Sequence, residues 1–238
     1  MRKTYTLKSI VLLAVIIAFT ISLVFVSHWV NGIVIFEGLS TKINKQILYQ
    51  SITLLGTMVF LFALWLTKKN TFKAYFRKGN LSADILPEPF MGIQPKANEN
   101  WIHLGRNFSI IISGVTAIVI YFQLIGGNGI SIGTMVSILP FSIVFALSNS
   151  FVEESITRLG VVVVLKDAVK DRTIPFVSAL LFGSVHYWGN PGGILGVLVA
   201  GFLGWFLTKS IIETKGIFWA WWIHFLQDVI IITAILSM

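Results

Sequence analysis

Long runs free of charge alternate with short polar breaks along this 238-residue chain. Uncharged, mostly apolar stretches occupy residues 9–27, 47–67, 108–125, 133–152, 174–185, 192–208 and 217–223. The last continues as an apolar helix to Met238 if His224 and Asp228 are accepted inside it. A helix needs about 20 mostly apolar residues to cross a bilayer. The pattern therefore predicts an all-α, polytopic transmembrane bundle. Turn sequences mark the breaks, with GGNGIS after the third run and GNPGG after the fifth.

One segment resists this reading. RLGVVVVLKDAVKDR, residues 158–172, has an uncharged core too short for a comfortable span. It is either a short fifth helix or a half-membrane segment that turns back. With a full span here, the chain has eight helices and both termini on the cytoplasmic side.

Composition agrees with membrane insertion. The chain is 55% hydrophobic and only 12% charged, against about 25% charged in ordinary soluble domains. The whole of 1–238 reads as one membrane domain, with 68–106 as its longest polar loop. The first apolar run follows MRKTYTLK, like the start of a signal peptide, but is longer than a signal core and has no small-residue cleavage site. It reads as an uncleaved first span. No cysteine is present, which removes disulfides, thiolate nucleophiles and thiolate-bound zinc.

The net charge of +8 matters less than its placement. Arg2, Lys3 and Lys8 precede the first run, and a basic series from Lys68 to Arg106 follows the second. Only Lys42 and Lys45 lie between those runs. Basic residues concentrate on the cytoplasmic side of membrane proteins, so the N-terminus and the 68–106 loop are expected there. Topology accounts for these residues without a nucleic-acid partner. The expected location is the cell membrane, with the bilayer itself as a partner.

Against this background a few ionisable residues stand out. Glu153, Glu154 and Arg158 follow the fourth run, His186 closes the fifth, and His224 and Asp228 interrupt the last. Each costs about 2.5–3.5 kcal/mol at membrane depth unless it finds a partner or a wet cavity. Glu154 and Arg158 are four apart and can pair along one helix face. Glu153 points about 100° away and is left free. His224 and Asp228 are also four apart, so the acid can orient the imidazole. Phe182 stands one turn before His186 and can wall the site. A carboxylate with two nearby histidines can activate water by general-base catalysis, and an imidazole can stabilise an oxyanion. Amide hydrolysis at the membrane suits this set.

The motifs EESITR (153–158), FGSVH (182–186) and HFLQD (224–228), in this order on apolar helices, resemble the CPBP family of intramembrane endopeptidases. That family includes the CAAX prenyl proteases and the bacteriocin-immunity (Abi-type) proteins of bacteria. The resemblance covers residues 133–238, the expected catalytic-motif core. It implies Glu153 as the water-activating base, with His186 positioning that water. It implies His224 and Asp228 on the oxyanion side, and Glu154 with Arg158 as a structural pair. The prenyl proteases usually carry asparagine where Asp228 stands. An ionised aspartate only accepts, so Asp228 donates to an oxyanion only when protonated and otherwise orients His224. The implied partner is a peptide or protein segment near the membrane, prenylated substrates included.

Zinc is a legitimate partner for two histidines and carboxylates, and a metal-free glutamate mechanism uses the same residues; no HExxH motif decides between them. Two other classes compete with the enzyme reading: a non-catalytic immunity or scaffold protein that keeps the network for binding, and a proton-coupled transporter. His28 and His103 read as interfacial or solvated residues. Trp219, Trp221 and Trp222 read as an interfacial belt.

Overall fold

A computed structural model describes residues 7–126, 130–189 and 192–238. Arg2, Lys3 and parts of the turns GGNGIS and GNPGG lie outside these residues. The described fold is all-α, without a β-strand. Its helices are α1 (Leu7–Trp29), α2 (Thr41–Thr67), α3 (Lys69–Tyr75), α4 (Trp101–Ile120), α5 (Ile132–Glu154), α6 (Val161–Leu165), α7 (Ile174–Val185), α8 (Gly193–Thr214) and α9 (Phe218–Ser237).

Two π-helical turns extend this set. Tyr121–Ile125 prolongs α4, and Ser155–Gly160 joins α5 to α6 without a break. Ile132–Leu165 is thus one rod of 34 residues, about 50 Å long at 1.5 Å per residue. Counting it once, the described residues form eight helices, and six are long and apolar enough to cross a membrane. Ile110, Ile111, Val115, Ile118 and Phe122 on the third of these lie exposed, as suits a face turned to lipid.

The 155–172 segment departs from both sequence expectations. Residues 155–165 neither form a separate helix nor turn back. They continue the preceding span, and every residue from Val152 to Leu165 except Glu153 is buried. The charges at 153, 154 and 158 looked like the end of a span because an isolated charge does not persist in hydrocarbon. Here Glu154 and Arg158 are paired inside the bundle and Glu153 faces a cavity, so the helix passes through them.

The short element is α7 instead. Its 12 residues rise about 18 Å, well short of the roughly 30 Å hydrocarbon core. It packs along α8, where Gly183 and Gly204 bring the backbones together. A Cβ on Gly183 would stand 2.7 Å from the Val197 carbonyl oxygen, and one on Gly204 3.2 Å from the Ala179 Cα. Small residues at such crossings let membrane helices approach closely.

The contacts define two ends of the bundle. At one end Lys8 Nζ donates to the Thr67 carbonyl at 2.7 Å, and Asn80 N to the Thr214 carbonyl at 2.7 Å. At the other, Asn44 holds the α1–α2 loop through Phe36 and Leu39, and Lys42 Nζ donates to the Ile235 carbonyl at 3.3 Å. The beginning of α1 and the end of α9 therefore lie at opposite ends. Both termini on one side followed only if residues 155–172 made a further span, and the merged rod makes none.

The loop between α3 and α4 is folded down on the first end. Trp101 is fully buried, and its Nε1 donates to Glu213 at 2.8 Å. Glu213 also pairs with Lys209, whose Nζ donates to the Leu86 carbonyl at 2.7 Å. Trp219 Nε1 reaches the Leu81 carbonyl at 3.2 Å. Gly216 lies against Gly79, where an added Cβ would come within 2.3 Å of the Gly79 nitrogen. Gly216→Ala should therefore destabilise the protein by about 1–3 kcal/mol through overpacking against backbone. Thermal unfolding in detergent measures this, and an unchanged midpoint would contradict the tight seal.

Candidate active site

The rod, α7 and α9 each bring one motif to a common point at mid-bundle. Four residues after Ser150, the Glu154 side chain is fully buried. Its Oε1 accepts from Arg158 Nη1 at 3.2 Å and from His224 Nδ1 at 2.7 Å. The Arg158 guanidinium, equally buried, also donates to Thr157 Oγ1 at 2.7 Å and stacks 3.4 Å above the Phe182 ring. Stacking and carboxylate pairing use the planar guanidinium in ways an ammonium cannot copy. Ser178 Oγ donates to the Thr157 carbonyl at 2.7 Å, tying α7 to the π turn.

Glu153 faces elsewhere. Its side chain keeps 19% of its surface exposed, against none for Glu154. It opens onto a cavity of about 620 Å³. Thr157, Phe182, His186 and Tyr49 share that wall. Asn149, one turn before Glu153, donates through Nδ2 to Glu153 Oε1 at 3.1 Å and to Asp228 Oδ2 at 3.0 Å. The Asn149 oxygen in turn accepts from Gln50 Nε2 at 3.3 Å.

Both histidines have one nitrogen committed. His186 Nδ1 lies 2.8 Å from the Phe182 carbonyl, which only accepts, so Nδ1 carries the proton. Its ring packs on Phe182 with centroids 4.1 Å apart. His224 commits Nδ1 to Glu154 and turns Nε2 toward Asp228 Oδ1 at 3.5 Å and Glu153 Oε2 at 3.7 Å. The structure thus brings Glu153, Glu154, Arg158, His186, His224 and Asp228 into one neighbourhood. The contact that fixes His224 differs from the expected one. Glu154 holds it at hydrogen-bond distance, while Asp228 stands further off and accepts from Asn149.

Sequence reasoning missed Asn149, Gln50 and Tyr49. Asn149 carried a signal, since it sits four residues before Glu153 on the same rod. Gln50 and Tyr49 carried none, because only packing brings α2 to this site. His28, read as an ordinary interfacial residue, lines the cavity, and His103 caps α4 by accepting from Asn100 N at 3.3 Å. Among the described residues no three His, Asp or Glu side chains stand where one metal ion could be shared. The histidines and carboxylates named as possible zinc donors therefore do not converge on one point as the side chains stand.

Residues 135–230 match the family model described as type II CAAX prenyl endopeptidase Rce1-like. That segment, less than half of the chain, holds all three motifs and is similar to the Rce1-like CAAX proteases. No curated protein and no solved structure matches the chain. The match shows a resemblance to CAAX-type proteases over that segment, and six helices are long and apolar enough to cross a membrane.

The buried ion pair gives a stability test. Removing one partner of such a pair leaves an uncompensated charge and costs about 3–5 kcal/mol. Arg158→Ala should lose stability on that scale, read from unfolding in mixed detergent. A loss within measurement error would mean that Glu154 is not dependent on this guanidinium.

Proposed function

We propose that the protein is an intramembrane endopeptidase in which Glu153 activates the attacking water. The observation that carries this is the division of labour between adjacent glutamates: Glu154 is sealed and doubly paired, while Glu153 faces the cavity. Glu153 takes a proton as the water oxygen bonds to the peptide carbonyl carbon. The resulting oxyanion meets the Nε2–H of His224, held in line by Glu154 on the other nitrogen. Glu153 then returns the proton to the leaving nitrogen as the C–N bond breaks, which yields a carboxylic acid and an amine. His186, with Nδ1 spent on Phe182, offers Nε2 as an acceptor that positions the water.

Asp228 orients rather than donates. Both of its contacts suit an acceptor, one to Asn149 and one toward His224. The substrate is a membrane-proximal peptide or protein segment, and the family's description brings prenylated peptides into its range. The 133–238 segment is the catalytic core and 68–106 is a cytoplasmic cover, with the first helix starting in the cytoplasm. Supporting that orientation, every described Lys and Arg lies at the covered end except Lys42, Lys45 and the buried Arg158.

Glu153→Gln should lower peptide turnover by about 10²–10⁴-fold with unfolding unchanged. Purified wild type and variant, assayed on a mixed library of plain and prenylated peptides, measure it. Equal cleavage by both would remove Glu153 from the mechanism. A binding phenotype kept by the variant, with no turnover by either, would favour the scaffold reading.

A further inference from the structure

The cavity that holds Glu153 has this one carboxylate deep in its wall and two lysines at its rim, and the two ends of the bundle are unequal. Its lining climbs one face of α1 through Thr20, Leu23, Val24 and Ser27 to the exposed His28 and Asn31. On α2 it climbs from Tyr49 through Gln46 to Lys45 and Lys42. Lys45 stands four residues above Tyr49, about 6 Å along the helix. Tyr49 is within electrostatic reach of Glu153 and Asp228. Ile235, Leu236, Trp188 and Gly189 complete the rim. The opening is therefore at the α1–α2 loop end, away from the basic surface.

The other end is closed by the loop described above, through Trp101 on Glu213, Lys209 on Leu86, Trp219 on Leu81 and Gly79 on Gly216. No cavity lining residue belongs to that loop. Neither rim lysine has a carboxylate within ion-pair distance among the described residues; Lys42 reaches only the Ile235 carbonyl. Glu153 at the floor repels an anion, while two ammonium groups at the rim attract one. A substrate segment with an acidic group is therefore drawn in with that group outward.

We infer that the site is loaded from the extracytoplasmic face, and that Lys42 and Lys45 select a segment bearing a carboxylate. This rests on the protease reading for what the site does, and on the proposed orientation for the face. The shared chemistry of a carboxylate and a lipid phosphate at this rim is separated in the test.

The absence of native cysteine makes the test clean. Ser27→Cys places a thiol in the cavity wall, and Ser82→Cys places one on the exposed covered end. Each is combined with Glu153→Gln, so that no turnover is required, and probed with a membrane-impermeant thiol reagent in intact cells and in inverted vesicles. The expected result is labelling of Ser27→Cys from outside only and of Ser82→Cys from inside only. Both labelled from inside would overturn extracytoplasmic loading while leaving the orientation standing. Ser82→Cys labelled from outside would overturn the orientation, and with it the assigned face.

An apolar hexapeptide ending in two aspartates should slow labelling of Ser27→Cys at least threefold more than its diasparagine counterpart. Adding Lys42→Glu and Lys45→Glu should abolish or reverse that preference. Equal protection by the two peptides would overturn carboxylate selection. A preference that disappears only when anionic lipid is present would assign the rim to a headgroup instead. Because none of these readouts needs catalysis, an inactive wild type would sink the protease reading without touching this one.

Discussion

A carboxylate shared between a guanidinium and an imidazole, closed off at the centre of the bundle, is the contact on which the architecture rests. Glu154 accepts from Arg158 within the rod and from His224 on α9, and Arg158 lies over the Phe182 ring of α7. One anion thus links three elements that share no long sequence proximity. At membrane depth an unpaired charge has no low-cost alternative, so each partner depends on the others being present. That dependence lets a helix carry three charges through the core without ending there.

The consequence for function is directional. A helix turns about 100° per residue, so fixing Glu154 inward commits Glu153 to the neighbouring face. There α1 and α2 leave a cavity instead of a packed wall. Asn149, bridging Glu153 and Asp228 through one amide nitrogen, keeps the two carboxylates at set positions. Among the described residues, the loop covers one end and the Glu153 cavity opens toward the other. The same polar cluster therefore supports stability through one glutamate and is available for chemistry through the next.

Much of this was legible in the sequence, for identifiable reasons. The all-α spanning bundle follows from the spacing of uncharged runs, and the Glu154–Arg158 pairing from a separation of four. Phe182 beside His186 follows from the same rule. What remained hidden depended on tertiary contact. The 34-residue rod was obscured because its charges mimic a helix end, and only Glu154's partner on α9 reveals that they are paired. Helix α7 passed for a span because its composition is apolar throughout, although its 12 residues fall well short of the about 20 a crossing needs. Tyr49 and Gln50 lie about one hundred positions before Glu153, and no local pattern connects them to it.

The central claim is that adjacent glutamates hold different offices, and a paired measurement tests it most directly. Unfolding midpoint and peptide turnover would be recorded for Glu153→Gln and Glu154→Gln side by side, in the same detergent. The account predicts that Glu153→Gln loses turnover with its midpoint intact, while Glu154→Gln loses midpoint. A Glu153→Gln protein that unfolds as readily as the Glu154→Gln protein, or that still turns over substrate, would contradict it.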